Sequence, residues 1–341
     1  MPTTQTSPSP SHRPNSPSNG LVNGLTLCTA IVISALSVQH WFDRYTYRQG
    51  EAAYRRGDCD IALSHFQKLA NAERIWDVND YQTRSSARIT ECNAFLEITG
   101  QTLTPPAQLL AYGSFADRFD NSPLVKLLQE RSVNLVATTD LTILAERPIC
   151  DRLDELTTGQ LIPAASLPAF WLTCGQTYAA ESHYGAAIAA YQKVLQDDGD
   201  HEITSQAEMG LAQVLLAQAK AEGSGELSKP AFSGYAQDGT TVVAIRNDSP
   251  EHMRIVFSGP DPRFEAIAPC ETCQTYTDDP PESCPNQGPV ATFTLEPGDY
   301  EVLVRSVSDP TVNPFTGEWL LTEGQEYNSC FYLVHNPSPT E

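Results

Sequence analysis

Trp171-Leu-Thr-Cys-Gly175-Gln-Thr-Tyr178, followed by Gly185-Ala-Ala187-Ile-Ala-Ala-Tyr191-Gln-Lys-Val194-Leu195, decides the reading of this chain. The order of large and small residues predicts a helical hairpin. Gly175 and Ala187 are small enough to let two antiparallel helices approach. Trp171, Tyr178 and Tyr191 then fill the gap around them. Cys174 and Val194 occupy further positions on the inward side. A hairpin of this kind buries its faces by stacking on neighbours.

Upstream, Tyr45 to Ala70 carries a weaker copy with Gly50, Tyr54, Gly57-Asp58, Ala62 and Phe66. Gly57-Asp58 marks the turn, and Ala62 and Phe66 stand in the second helix. Downstream, Ser205 to Ala221 has the pattern of one more helix. Together these segments resemble the tetratricopeptide repeat (TPR) family, in which a Trp, an apolar-Gly pair, a Tyr, an Ala and an aromatic follow in near-fixed order. In the upstream copy the Trp is missing and the first-helix Tyr is displaced by one residue. The segment at about 78–165 has helical periodicity and no repeat signature. The resemblance implies a helical array over 43–221 whose concave surface binds a protein or peptide. It places Leu172 and Gln176 on that surface, and Tyr47 and Glu51 in the upstream copy. The Lys, Arg and Asn residues of a carboxylate clamp are absent there.

The chain has 341 residues and a net charge of −21. Its first 42 residues hold Arg13 and no acid, so 43–341 carry 20 basic and 42 acidic side chains. Such a field repels nucleic acid and favours a neutral or basic partner. Residues 1–20 are Ser, Pro, Thr and Asn with almost no large apolar residue, and are expected to be disordered. Leu21 to Val38 is an uncharged, mostly apolar run at the lower length for a membrane span. Trp41, Phe42, Tyr45 and Tyr47 follow like an interfacial aromatic belt. The expectation is a transmembrane anchor over 21–42. Ala35-Leu-Ser37 keeps open a cleaved signal peptide and secretion. Leu27 before Cys28, with the apolar run continuing past it, argues against a lipoprotein signal.

Arg44, Arg48, Arg55 and Arg56 follow the span, which by charge bias points to the cytoplasm. The eight cysteines beyond Cys28 argue the opposite. They cluster in plausible disulfide pairs: Cys59 opens a second helix, and Cys92 is expected to end the helix that packs beside it. Cys150 and Cys174 fall on consecutive helices. Cys270, Cys273, Cys284 and Cys330 lie in the C-terminal part. Disulfides persist in oxidising compartments, so the folded part is expected in a periplasm or lumen. Cys270-Glu-Thr-Cys273 with Cys284 and Cys330 leaves three readings open: two disulfides, a structural zinc, or a redox dithiol.

After a Gly/Ser/Pro linker at 222–231 the apolar period changes from 3.6 to 2. Thr241–Ile245, Met253–Phe257, Arg263–Ile267, Val290–Leu295, Tyr300–Val304, Glu318–Thr322 and Cys330–Val334 read as strands. They predict an antiparallel β-sandwich over 232–336, with a short tail at 337–341. The fold class is therefore multidomain, α then β. Leu295-Glu-Pro-Gly298-Asp-Tyr300 resembles a turn common in bacterial immunoglobulin-like modules. The layout as a whole is similar to cyanobacterial membrane-anchored TPR proteins, which implies an envelope or thylakoid setting.

Enzyme motifs are missing: no Gly-x-Ser-x-Gly elbow, no His-Glu-x-x-His, no phosphate-cradling loop and no dinucleotide fingerprint. No catalytic residue, cofactor or resident metal is expected. His65, His201-Glu202, Glu251-His252 and Asp278-Asp279 read as packed or solvated. Arg44, Arg48 and Arg55 share one helical face, either solvated or facing lipid phosphates. Two functions stay in view. One is a membrane-tethered scaffold for a protein or peptide. The other is an envelope module whose β-part binds a glycan or wall polymer, for which exposed Trp319, Tyr327 or Phe315 would speak.

Overall fold

A computed structural model describes residues 19–72, 77, 79–196, 201–276 and 281–334, without the side chains of 19–33, 35 and 201. Eleven helices are followed by nine strands among these residues. The helices are α1 (Asn19–Arg55), α2 (Cys59–Ala70), α3 (Tyr81–Gly100), α4 (Pro105–Arg118), α5 (Pro123–Thr138), α6 (Leu141–Leu144), α7 (Arg147–Cys150), α8 (Leu153–Thr158), α9 (Leu167–Ala180), α10 (Tyr184–Leu195) and α11 (His201–Glu222). The chain forms two compact units, Met1–Thr102 with Phe115–Leu128, and Leu103–Ser114 with Gln129–Glu341.

The first unit contains the hairpin α1/α2, and the second contains α9/α10. Both are built on one pattern, offset by 125 residues. A Cβ on Gly50 would lie 2.8 Å from the Phe66 ring, and one on Gly175 would lie 2.6 Å from the Tyr191 ring. Glycine is what lets each aromatic ring lie against the facing backbone. Ala62 and Ala187 are fully buried at matching places, as are Leu69 and Val194 near the second-helix ends. The turns match too. Gly57 (φ 80°) and Ser182 (φ 60°) both adopt the left-handed conformation that ends a helix. Each first helix closes with the same pair of bonds, Gly57 N–H to Tyr54 O and Asp58 N–H to Ala53 O, against Ser182 N–H to Ala179 O and His183 N–H to Tyr178 O. In each unit a third helix, α3 or α11, packs on the hairpin. The Tyr191 ring is gripped from the other side by Gly210 of α11, at 2.5 Å from a Cβ placed there. The 125-residue offset puts Ser85 of α3 at the place of Gly210. Ser85 is fully buried, and its hydroxyl has no hydrogen-bond partner.

Among the described residues no helix is long and apolar enough to cross a membrane. The backbone of α1 runs unbroken through the expected anchor at 21–42, but most side chains of that run lie outside the described residues. So do the expected tails at 1–18 and 337–341.

The strands are β1 (Gly225–Glu226), β2 (Ala231–Tyr235), β3 (Thr241–Asn247), β4 (Met253–Ser258), β5 (Arg263–Ile267), β6 (Val290–Leu295), β7 (Gly298–Ser306), β8 (Phe315–Leu321) and β9 (Gln325–Phe331). They form two sheets, ordered β1-β8-β7-β4-β5 and β2-β9-β3-β6. Both sheets are mixed, which corrects the expected antiparallel arrangement: β3 pairs β9 in parallel, and β1 pairs β8 in parallel. Alternation in sequence tells which face a residue takes, and it is silent about which strand lies alongside. Val243, Ile245, Phe293 and Tyr327 of one sheet share a core with Ile255, Phe257, Tyr300, Val302 and Trp319 of the other.

The expected linker at 222–231 is part of the fold. It contains β1, and α11 before it packs Ala212, Leu216 and Ala219 on Val256 and Leu303 of the first sheet. Lys220 Nζ also lies 2.8 Å from Glu301 Oε1. Helices and sheets are thus joined within the second unit by an apolar helix face, and no flexible hinge separates them.

Candidate functional site

A cleft of about 480 Å³ opens where the α9–α10 turn meets the C-terminal end of α11. Arg147, Asp151, Tyr178, His183, Gln218 and Glu222 lie along it. The sequence assembles it through one covalent link. Cys150, between Arg147 and Asp151, is bridged to Cys174, one turn before Tyr178, with 5.5 Å between the Cα atoms. Thr177 Oγ1 also donates to Ala145 O at 2.9 Å. Helix α7 is too short to hold its place by its own hydrogen bonds. The bridge sets it against α9.

The polar groups of the cleft are mutually engaged. Tyr178 donates its hydroxyl to Asp151 Oδ1 at 2.8 Å. Burial first, and the neighbouring Asp151 second, push the Tyr178 phenol above its ordinary range. Arg147 lies 3.2 Å from Glu181 and 3.6 Å from Asp151, and its Nη1 contacts His183 Nε2. With Asp151, Glu181 and Glu222 against one arginine, the cleft is acidic. It offers hydrogen-bond and ionic recognition of a polar or basic group.

The groove positions taken from the family resemblance lie elsewhere. Tyr47 is buried between Phe66 and Tyr81, with the Arg84 guanidinium 4.5 Å above its ring. Glu51 accepts from Tyr47 and pairs with Arg88 Nε at 2.9 Å. Arg88 in turn binds Glu91 at 2.8 Å and stacks over Tyr54, whose hydroxyl meets Glu91 and Ser122. Both positions are therefore covered by α3, which corrects their assignment to an open groove. Leu172 is buried too, and of the four only Gln176 is exposed. The third helix supplies two arginines, Arg84 over the Tyr47 ring and Arg88 over the Tyr54 ring.

Six of the cysteines are bridged: Cys150–Cys174, Cys270–Cys273 and Cys284–Cys330. The four cysteines for which zinc was the alternative are paired two by two, as Cys270–Cys273 and Cys284–Cys330. Cys59 and Cys92 are buried thiols, which corrects the expected bridge between them. Cys92 sits inside α3 rather than at its end. Its hydrogen bond with Cys59, followed by burial, raises its pKa.

The aromatics that would have spoken for a glycan site divide. Trp319 and Tyr327 are core residues, and Phe315 is exposed. Phe232 and Tyr235, on the edge strand β2, are exposed and meet edge to face at 5.2 Å. His65 is half-buried, His252 is exposed, and Glu251 accepts from the hydroxyls of Ser306 and Ser308. Asp278-Asp279 lies outside the described residues, and so does the side chain of His201. Sequence reasoning missed Arg147, Asp151 and His183. Their one signal was the i, i+4 placement of Arg147 and Asp151 around Cys150.

No family model matches this chain, and neither a curated protein nor a solved structure is detectably similar to it.

Proposed function

We propose that this protein is a membrane-tethered, non-enzymatic scaffold of the TPR type that docks a protein or peptide near a bilayer. The observation that carries the reading is the repeated hairpin: one glycine–aromatic contact and one left-handed turn, recurring 125 residues apart. Arrays of such hairpins serve as docking surfaces. The tether rests on the uncharged run Leu21 to Val38, which enters the folded part through the same helix. An extracytoplasmic body, in a periplasm or lumen, is supported by the three bridges. The acidic cleft around Tyr178 is the docking place we favour, for a neutral or basic segment.

The test places a photo-crosslinking residue at Tyr184, on the cleft rim, in the full chain in its native membrane. A control carries it at Glu323, on a sheet-end turn. A discrete adduct from Tyr184 that is lost in Arg147→Ala/Asp151→Ala supports the proposal. Equal adducts from both positions, or none, count against it.

The glycan reading keeps one observation, the exposed Phe232–Tyr235 pair. If it holds instead, Phe232→Ala/Tyr235→Ala abolishes retention on wall polymer while the cleft variants leave it unchanged.

A further inference from the structure

Four large apolar side chains stand exposed in a row on α1: Val38 (68 %), Trp41 (67 %), Phe42 (59 %) and Tyr45 (53 %). Their i, i+3, i+4, i+7 spacing makes one continuous stripe. The Trp41 and Tyr45 rings stack at 5.9 Å with 13° between their planes. The stripe is turned away from the folded unit. Thr46, Tyr47, Ala53 and Tyr54, on another face of the same helix, are buried against α2 and α3. Arg44 and Arg48 are both exposed and run alongside the stripe, one turn apart.

The occupant of this face follows from where it lies. The uncharged run Leu21 to Val38 precedes it on the same unbroken helix. Eighteen residues span about 27 Å, close to a bilayer's hydrocarbon thickness of about 30 Å. Val38 to Tyr45 then covers about 10 Å, comparable to one interfacial layer. Amphipathic aromatic rings favour that layer. The charge pattern agrees. Residues 43–341 are strongly acidic, yet the first two cations after the run project beside the stripe.

We propose that Trp41, Phe42 and Tyr45 sit in the headgroup layer of the bilayer, and that Arg44 and Arg48 bind the phosphates of anionic phospholipids there. The first unit, whose buried face on α1 begins at Thr46, then stands directly on the membrane surface. This rests on the tether reading and adds the lipid chemistry that sets the height of the body. Each arginine near an anionic surface is worth about a fivefold preference.

The experiment uses the full chain reconstituted in vesicles of zwitterionic and anionic phospholipid, with bromine near the glycerol end of the acyl chains of one lipid or the other. The difference between wild type and Trp41→Phe isolates the Trp41 fluorescence. We expect strong quenching of Trp41, several-fold more per mole by the brominated anionic lipid. Arg44→Gln/Arg48→Gln should bring the two lipids to parity, and Arg44→Lys/Arg48→Lys should keep the preference. Parity in the wild type overturns the phosphate contact. An unquenched Trp41 in a chain that still resists alkaline extraction overturns the belt and leaves the tether standing. Loss of the chain on extraction removes the tether itself.

Discussion

Replacing Gly175 by alanine should destabilise the second unit, against the usual effect of that change in a helix. Alanine is favoured over glycine by about 1 kcal/mol in an open helix interior. At Gly175, however, the new Cβ would lie 2.6–2.9 Å from Tyr191 Cε1, Cδ1 and Cζ. Those distances are far inside contact range, so something must move. The ring cannot retreat, because the backbone at Gly210 meets its other face. Overpacking of this kind costs about 1–3 kcal/mol. Opposed by the propensity gain, the net loss is about 0–2 kcal/mol. Gly185 of α10 has nothing within 4 Å of its Cβ position, so Gly185→Ala should be neutral or stabilising. The assay is denaturant unfolding of the detergent-solubilised chain, with Gly175→Ala, Gly185→Ala, Tyr191→Leu and the Gly175→Ala/Tyr191→Leu pair. The double variant should show a favourable coupling, since the smaller side chain frees the space the methyl needs. If Gly175→Ala raises the midpoint as much as Gly185→Ala does, the ring is not clamped and the packing argument fails.

Ser182→Gly should stabilise by about 0.5–1 kcal/mol, because a left-handed φ costs serine more than glycine loses in unfolded freedom; an unchanged midpoint would contradict this. Ser85→Ala, which removes a buried hydroxyl without a partner, should gain about 1 kcal/mol in the first unit by the same assay. In denatured, unreduced protein, an alkylating reagent should label Cys59 and Cys92 and leave Cys150 and Cys174 unlabelled, and removing that bridge alone, in Cys150→Ser/Cys174→Ser, should lower the stability of the second unit by about 3 kcal/mol. Quantitative labelling of Cys150 and Cys174 would remove that bridge and weaken the case for an oxidising compartment. Burial holds the phenols of Tyr47, Tyr54, Tyr178, Tyr191 and Tyr300 above their ordinary value of 10.0. Their contribution is therefore fully present below about pH 10 and is lost as the pH rises further, since the unfolded chain sheds protons first. Unfolding midpoints between pH 9 and 12 should fall, and a flat profile would show that these rings are not buried in solution.

The hairpins were the most legible part of the sequence, because glycine, alanine and aromatic residues at fixed spacing have a steric meaning that little else imitates. Gly175, Ala187 and Tyr191 read as one packing group before any coordinates, and the structure adds the contacts of Gly175 with Tyr191 and of Gly50 with Phe66. Legibility failed where a partner had to be known. Tyr47 and Glu51 look outward on an isolated hairpin, and only the arrival of Arg84 and Arg88 on α3 turns them inward. Strands β3 and β6 were readable from alternation, each with one face in the core, and β4 from its apolar run, since Ile255 and Phe257 enter the core between the sheets and Val256 packs on α11. Strand β2 was not, since four of its five residues are exposed and no alternation marks it. Strand β9 was displaced in the reading because Gln325, Glu326, Asn328 and Ser329 surround its one deeply buried residue, Tyr327. The cleft was the least visible feature. It draws on residues from four helices, and nothing local to Arg147 or His183 announces the other.

The link between Cys150 and Cys174 ties recognition to the history of each molecule. A newly made chain still carrying reduced sulfurs has no covalent hold on the short helix that presents Arg147 and Asp151. If the cleft is the docking place proposed above, it would be completed only once this bridge forms, and a reduced chain would engage its partner poorly.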